Sequence, residues 1–428
     1  DSSTDTTPST GVDPTASSTM STTASTMSTT EATTTSPSTT DETADSGSSD
    51  DATTEADSGS TDDGGPLCGN NMLDGDEVCD DGNEVNGDGC NNDCIESGTL
   101  LWELEAPGTD VAVSDDDVVA VLRHDDGPHI DTFDADGSAL DSVDGPADAH
   151  WYSFDFFGNG DFAVAVRGDS AIDVARISAA GAELWSSGAP GSGPYNPGTG
   201  TTDVATTDAD EAAFSGNSNA AIWGGKFDGA GVFQWSDIES VAAPGWTRAI
   251  SVACHDDGTC VVAGFTDANG NSSGGEDLFV RLLAPGGAAI WTATRDLETS
   301  FFQGGYVAIA PTGDVAVTGC DEAVCLAVGY TSDGDSAWTY LFDYEDLYPY
   351  GIASDVDGNF IIVGTGQPDD VSGLYNAIVR KLDANGDELW TQSFNTSRAQ
   401  NDEAHGVATD STGRIFVVGS SWLRAYAP

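Results

Sequence analysis

From Thr99 onward, short apolar and β-branched runs alternate with clusters of Gly, Asn and Asp, the pattern of strands joined by tight turns. The stretch 350–393 shows the unit most clearly: GIAS, FIIVG, AIVRKL and ELWTQ, parted by DVDGN, a polar loop and DANGD. Four antiparallel strands of this length make one propeller blade, and the unit recurs along the chain. One landmark is a turn glycine followed by an apolar–Trp pair in the outermost strand, at Trp102, Trp185, Trp235, Trp291, Trp338 and Trp390, with a seventh copy, GSALD (Leu140), that lacks the Trp. The other is an innermost strand, a turn and a second strand often ending in V-x-G, as in ISVACHDDGTCVVAG and VATDSTGRIFVVG. Both occur seven times but out of phase, so the run at 100–104 is expected to pair with 422–426 and complete the last blade. The predicted fold is all-β: a seven-bladed propeller over 99–428, closed by its N-terminal strand.

Two different segments precede it. Residues 1–64 are almost entirely Ser, Thr, Ala, Asp, Glu, Gly and Pro, with no aromatic residue. Such a stretch buries too little apolar surface to offset its ordering entropy, which predicts a disordered Ser/Thr/Asp-rich tether. Residues 65–98 hold Cys68, Cys79, Cys90 and Cys94 among turn residues, a module that needs cross-links to fold. Ten, ten and three residues separate successive cysteines, not the paired C-x₂-C knuckles of structural zinc. Disulfides are favoured over zinc, and three connectivities are open. Two further pairs, Cys254 with Cys260 and Cys320 with Cys325, flank short connections within the repeats and are expected to be bridged. Bridging throughout places the chain in an oxidising compartment.

The run C-G-N…G-D-E-x-C-D-D-G-N…G-D-G-C-x-x-x-C is carried by Cys68, Gly69, Asn70, Glu77, Cys79, Asp80, Asp81, Gly82, Asn83, Asp88, Gly89, Cys90 and Cys94. It resembles the myxobacterial cysteine-rich repeat of exported and surface proteins. The propeller units, on turn glycines and strand patterning, are similar to SBBP-type repeats of secreted bacterial proteins. The resemblance implies export, as an extracellular or cell-surface protein of the outer-membrane lipoprotein type. The opening at Asp1 reads as a mature N-terminus, with any lipid-anchoring Cys outside this sequence.

Charge narrows the partners. Lys and Arg total 12 against 73 Asp and Glu, a formal charge of −61, and only Lys226 and Lys381 are lysines. Such a surface repels nucleic acid and anionic membrane, so neither is an expected partner apart from membrane reached through a lipid anchor. Acidic turns at 134–137, 355–359, 383–387 and 155–161, and the carboxylates of the cysteine module, resemble fragments of calcium loops. Asp and Asn also make such turns unaided. No cofactor is required, and calcium is the one these turns leave open.

Catalysis has little support in the sequence. His124, His129, His150, His255 and His405 form no metal or nucleophile motif. In a propeller, the connections between blades and between second and third strands share one face. That face is expected to collect Trp151, Tyr195, Trp246, Phe301, Phe302, Tyr306, Tyr348 and Tyr350 with Arg248, Gln303, Asp402 and His405. Rings beside amides and carboxylates suit stacking on sugars or gripping peptide side chains. The expected site is therefore Trp151, Trp246, Arg248, Gln303, Tyr306, Tyr348, Tyr350 and His405, binding an extracellular glycan or protein. The alternatives are a propeller hydrolase or lyase acting on extracellular polysaccharide, and a structural envelope protein.

Overall fold

The computed structural model describes residues 68–73, 77–125, 127–167, 173–190, 200–218, 221–240, 247–266, 277–296, 303–320, 324–343, 345–367, 374–396 and 401–428. The tether at 1–64 lies outside them, as do Tyr195, Trp246, Phe301 and Phe302. Every regular element among the described residues is a strand. These form seven four-stranded antiparallel sheets. Six are sequential: blade 1 at 110–144, blade 2 at 151–188, blade 3 at 200–240, blade 4 at 247–295, blade 5 at 303–343 and blade 6 at 348–394. The seventh combines Ala404–Thr409, Ile415–Gly419 and Leu423–Tyr426 with Leu100–Leu104 as its outermost member. Leu104 pairs with Leu423 and Leu100 with Tyr426, the closure that the offset repeats predict. We name the strands of each blade A to D from the axis outward.

The sectors between blades widen outward, and the packing follows that taper. Near the axis the facing positions are Ala and Val, as in Ala112, Ala120, Ala249 and Ala308, all buried. At the circumference the gap takes an indole. Each D-strand Trp lies against the turn glycine that precedes the D strand of the next blade. A Cβ added to Gly137, Gly231, Gly287, Gly334, Gly386 or Gly98 would fall 2.5–3.2 Å from the ring of Trp102, Trp185, Trp235, Trp291, Trp338 or Trp390 respectively. These glycines also hold φ between 74° and 89°, a left-handed turn conformation that side chains disfavour. Five of the rings donate their Nε1–H across the seam, to the carbonyls of Ala135, Gly229, Pro285, Ser332 and Ala384, at 2.9–3.0 Å. The glycine and the Trp of the sequence landmark thus serve opposite neighbours.

The cysteine module is bridged Cys68–Cys94 and Cys79–Cys90. In the propeller, Cys254–Cys260 ties strands A and B of blade 4, and Cys320–Cys325 ties B and C of blade 5. No described cysteine is free, which suits an extracellular or otherwise oxidising environment. Inside the module, the Asp80 carboxylate accepts the N–H groups of Gly69, Asn70, Asn71 and Gly82, and Asp81 accepts those of Asn83 and Cys90. The propeller turns behave alike: Asp355 Oδ1 accepts from Asp357 and Asn359, and Asp383 Oδ1 from Asn385 and Asp387. These carboxylates stand in for missing backbone partners.

Both lysines are fully buried. Lys226 meets Glu211 at 2.7 Å and the Gly258 carbonyl of blade 4 at 3.2 Å. Lys381 meets the buried Asp355 at 2.9 Å. Gly87 of the cysteine module closes over that ammonium, since a Cβ there would sit 2.2 Å from Nζ.

Trp338→Ala should lower unfolding stability by about 3 kcal/mol through the opened seam. Leu184→Ala, on an exposed D-strand position, should change it by less than about 0.5 kcal/mol. Equal urea midpoints for the two variants would contradict the indole–glycine packing. In a second experiment, an amine-reactive label should leave Lys226 and Lys381 unmodified in native protein and modify both in denaturant, read by peptide mass spectrometry.

Candidate functional site

The A strands ring the axis, and their free edges leave backbone groups to satisfy. Side chains of neighbouring blades supply the partners in sequence around the ring. Asp110 of blade 1 accepts the Phe154 N–H of blade 2 at 3.1 Å. Asp155 of blade 2 accepts the Thr206 N–H of blade 3 at 2.8 Å. Asp203 of blade 3 accepts the Val252 N–H of blade 4 at 3.0 Å. Ser251 receives the Val307 N–H at 3.4 Å, Ser354 donates to the Ile309 carbonyl at 2.8 Å, and Thr409 donates to the Ser354 carbonyl at 2.8 Å. The His405 ring closes the belt from blade 7 to blade 1, with Nδ1 3.0 Å from the Gly108 carbonyl oxygen.

Six of the seven A–B pairs carry a register shift near the same end. The extra residues are Tyr152, Thr202, Ile250, Gly305 with Tyr306, Tyr350 and His405. A bulge turns its side chain away from the ladder, and here every one of these positions except Gly305 lines a cavity of about 310 Å³ on the axis. Alignment on strand register gives two tiers. Thr109, Tyr152, Thr202, Ile250, Gly305, Tyr350 and His405 form one. The tier below has Asp110, Ser153, Asp203 and Ser251 from blades 1 to 4, then Tyr306, Gly351 and Gly406. In the lower tier, hydrogen-bonding side chains gather on blades 1 to 4, and three of the four cavity rings stand on blades 5 to 7, with Tyr152 of blade 2 set apart from them.

The Asp203 carboxylate takes Ser153 Oγ at 2.6 Å and Ser251 Oγ at 2.9 Å, one on each oxygen. Burial raises its pKa despite these donors. Burial also pushes Asp110 up to about 7, with the Asp203 charge adding to it. Burial pushes Asp155 up to about 6. The Tyr306 hydroxyl is raised by burial and then by Asp203. At the rim, Tyr350 stands edge-on to His405 at 6.2 Å and to Tyr348 at 5.3 Å between ring centroids. His405 Nε2 lies 3.4 Å from Glu403.

Of the residues that the sequence singles out, Tyr306, Tyr350 and His405 line the cavity. Tyr348 backs Tyr350 and packs on the core between blades 5 and 6. Trp151 lies elsewhere: it is 3% exposed and lines the seam between blades 1 and 2, not the axial cavity. Its neighbour Tyr152, 43% exposed, takes the rim position instead, because the bulge shifts which residue faces the axis. Arg248 and Gln303 fall on A strands, of blades 4 and 5. Asp402 is buried and accepts the Thr396 hydroxyl at 2.8 Å. His255 lies on the A–B turn of blade 4, 3.0 Å from the Pro311 carbonyl oxygen. His124 has its pKa lowered by burial and by the nearby His150 and His129. Among the described residues, the only three ligating atoms within 4.8 Å of one another belong to Cys68, Glu77 and Cys94, and the two sulfurs are already bridged. Sequence reasoning missed Asp110 and Asp203. Their one signal is position, immediately before the apolar A-strand run, where the other repeats carry Ser153, Ser251, Tyr306, Gly351 and Gly406.

No family profile matches the chain, and no curated protein does. Solved structures do. The WD40 β-propeller domain of Doa1 is 14% identical over 76% of this chain and 96% of that one, with a TM-score of 0.50. The Dos1 propeller is 10% identical over 77% and 95%, with a TM-score of 0.47. A protein of unknown function from Bacteroides caccae is 14% identical over 65% and 93%, with a TM-score of 0.42. The likeness to the Doa1 domain is one of fold: both chains are β-propellers.

Proposed function

We propose that this protein is an exported cell-surface binding module whose propeller takes a glycan at its axial cavity. The observation that carries this reading is the two-tiered wall: Tyr152, Tyr306, Tyr350 and His405 beside Asp110, Asp203, Ser153 and Ser251. Rings give a sugar a flat apolar platform, and Asp110, with one backbone N–H on each oxygen, keeps acceptor capacity for its hydroxyls, while Asp203 is held by its own four donors. A net charge of −61 disfavours anionic ligands, which points to neutral sugars. The cysteine module, with the pattern of the myxobacterial repeat, and the SBBP-like blades support an envelope location, reached through a lipid anchor ahead of the Ser/Thr-rich spacer. Propellers host many activities, so the fold by itself names no ligand and the cavity wall supplies the distinguishing chemistry.

Tyr306→Ala/Tyr350→Ala should lose retention on a glycan array by at least tenfold while keeping the wild-type melting temperature. Undiminished retention would refute the site, and turnover of a polysaccharide by wild type would favour a hydrolase. Retention on a protein array alone would redirect the reading to a protein ligand.

The cavity carboxylates also predict a pH effect. Asp110 has a folded pKa of about 7 against 3.8 for an ordinary Asp. The folded state then holds a proton that the unfolded chain has released. Its stabilising contribution is full below about pH 4 and is lost as pH rises towards 7. Over that window, wild type should lose stability relative to Asp110→Asn in parallel urea titrations; parallel curves would remove the raised pKa.

A further inference from the structure

Six seams between blades are closed by an indole on a turn glycine, and one is not. Strand register puts a residue of the D strand opposite Arg176, Lys226, Leu282, Gly329, Lys381 and Ala425, and in each case it is the Trp. In blade 1 the same register puts Asp141 opposite Thr132. The departure that the sequence shows beside Leu140 therefore falls on Asp141, which is exposed and spends Oδ1 on the Ser142 N–H.

Across this seam blade 2 keeps the receiving half. Gly181 holds φ at 83°, but a Cβ added there would meet only Val143, at 3.5 Å. Ile177 occupies the position of Phe227 and Tyr330, the rings beside Trp185 and Trp291 with centroids at 6.1 and 5.7 Å. What remains between the blades is a cavity of about 440 Å³, whose walls include Trp151, Val166, Ala175, Ile177 and Gly181. That volume exceeds the share of an indole ring; Trp151, Val166, Ala175 and Ile177 offer apolar surface to its faces, and Asp144, Arg167, Glu183 and Ser186 line the rest.

We propose that this seam cavity binds a small planar aromatic molecule carrying a ring N–H, of the size of indole. Five seams donate an indole N–H to the carbonyl two residues before the turn glycine. In blade 2 that carbonyl belongs to Ala179. A ring seated on Gly181 directs its N–H there, which sets the preference for indole over its N-methyl form. Asp144 and Glu183 beside the opening disfavour a carboxylate on the ligand, although Arg167 also lines it.

The test is a ¹⁹F NMR titration of the full chain with 5-fluoroindole, repeated on three variants. Wild type should show saturable binding. Asp141→Trp fills the cavity from blade 1 and Ala175→Leu from its wall, so each should weaken binding at least tenfold, with Asp141→Trp raising the melting temperature. Ala175→Leu keeps the question open to decision if the tryptophan variant fails to fold. Tyr306→Ala/Tyr350→Ala should bind the probe as wild type does, separating this site from the axial one. 1-Methyl-5-fluoroindole should bind about fivefold more weakly, the worth of one net hydrogen bond. Absence of saturation, affinity unchanged in the folded filled variants, or equal affinity for the N-methyl probe overturns the proposal.

Discussion

The seam between blades is the contact on which the rest depends. Sheets arranged radially approach closely at the axis and splay at the rim, so a repeat of uniform residues would leave wedge-shaped voids. Interiors tolerate few voids. This chain grades its side chains instead, alanine and valine inward and indole outward, and the turn glycine removes the one atom that would hold the ring away. The N–H donated to the neighbouring turn fixes the ring's orientation as well as its depth. Because each ring belongs to one blade and each glycine to the next, a blade cannot complete its own packing. Seven interdependent sheets follow, not seven modules.

Within that frame the chain divides its polar groups by sign. Lys226 and Lys381 are buried, and Arg176, Arg281, Arg380, Arg414 and Arg424 each pair with a carboxylate. The cations serve between strands and blades, where guanidinium and ammonium groups bridge elements that neutral side chains do not reach. Among the described residues most of the acidic excess faces water; Asp161, Asp355, Asp402 and Asp410 are buried against cations or a hydroxyl, and Asp110, Asp155 and Asp203 cap inner-strand N–H groups. Those last three are also groups whose protonation burial favours.

Blade number, the closing strand and the paired cysteines were legible because they are periodic or spaced features. The indole–glycine partnership was visible as a motif but not as a contact, since each donating ring and the carbonyl it reaches lie 33 to 50 residues apart, and Trp390 and Gly98 stand near opposite ends of the propeller sequence. The axial site was half legible. Aromatic residues near blade connections pointed to Tyr306, Tyr350 and His405, while the bulges that exchange Trp151 for Tyr152 leave no mark in hydrophobic patterning. Asp110 and Asp203 looked like ordinary strand-edge acids until the register set them side by side with Ser153. The turn acids carry a calcium-like spelling, and Oδ1 of Asp355 and of Asp383 accepts backbone N–H groups of its own turn.

Strand Leu100–Leu104 finds its partner more than 300 residues further along, at Leu423–Tyr426. In a chain made or exported from its N-terminus, this strand emerges first and waits for the last of the sheets. During that interval blade 7 lacks its outer edge and Trp102 has no blade 1 turn to rest on until that turn has formed. Long-range pairing of this kind slows folding and leaves an unpaired edge exposed. The acidic, glycine-broken sequence around it is then a safeguard in time as well as a surface: like charge keeps unfinished rings apart until each can join its own two ends.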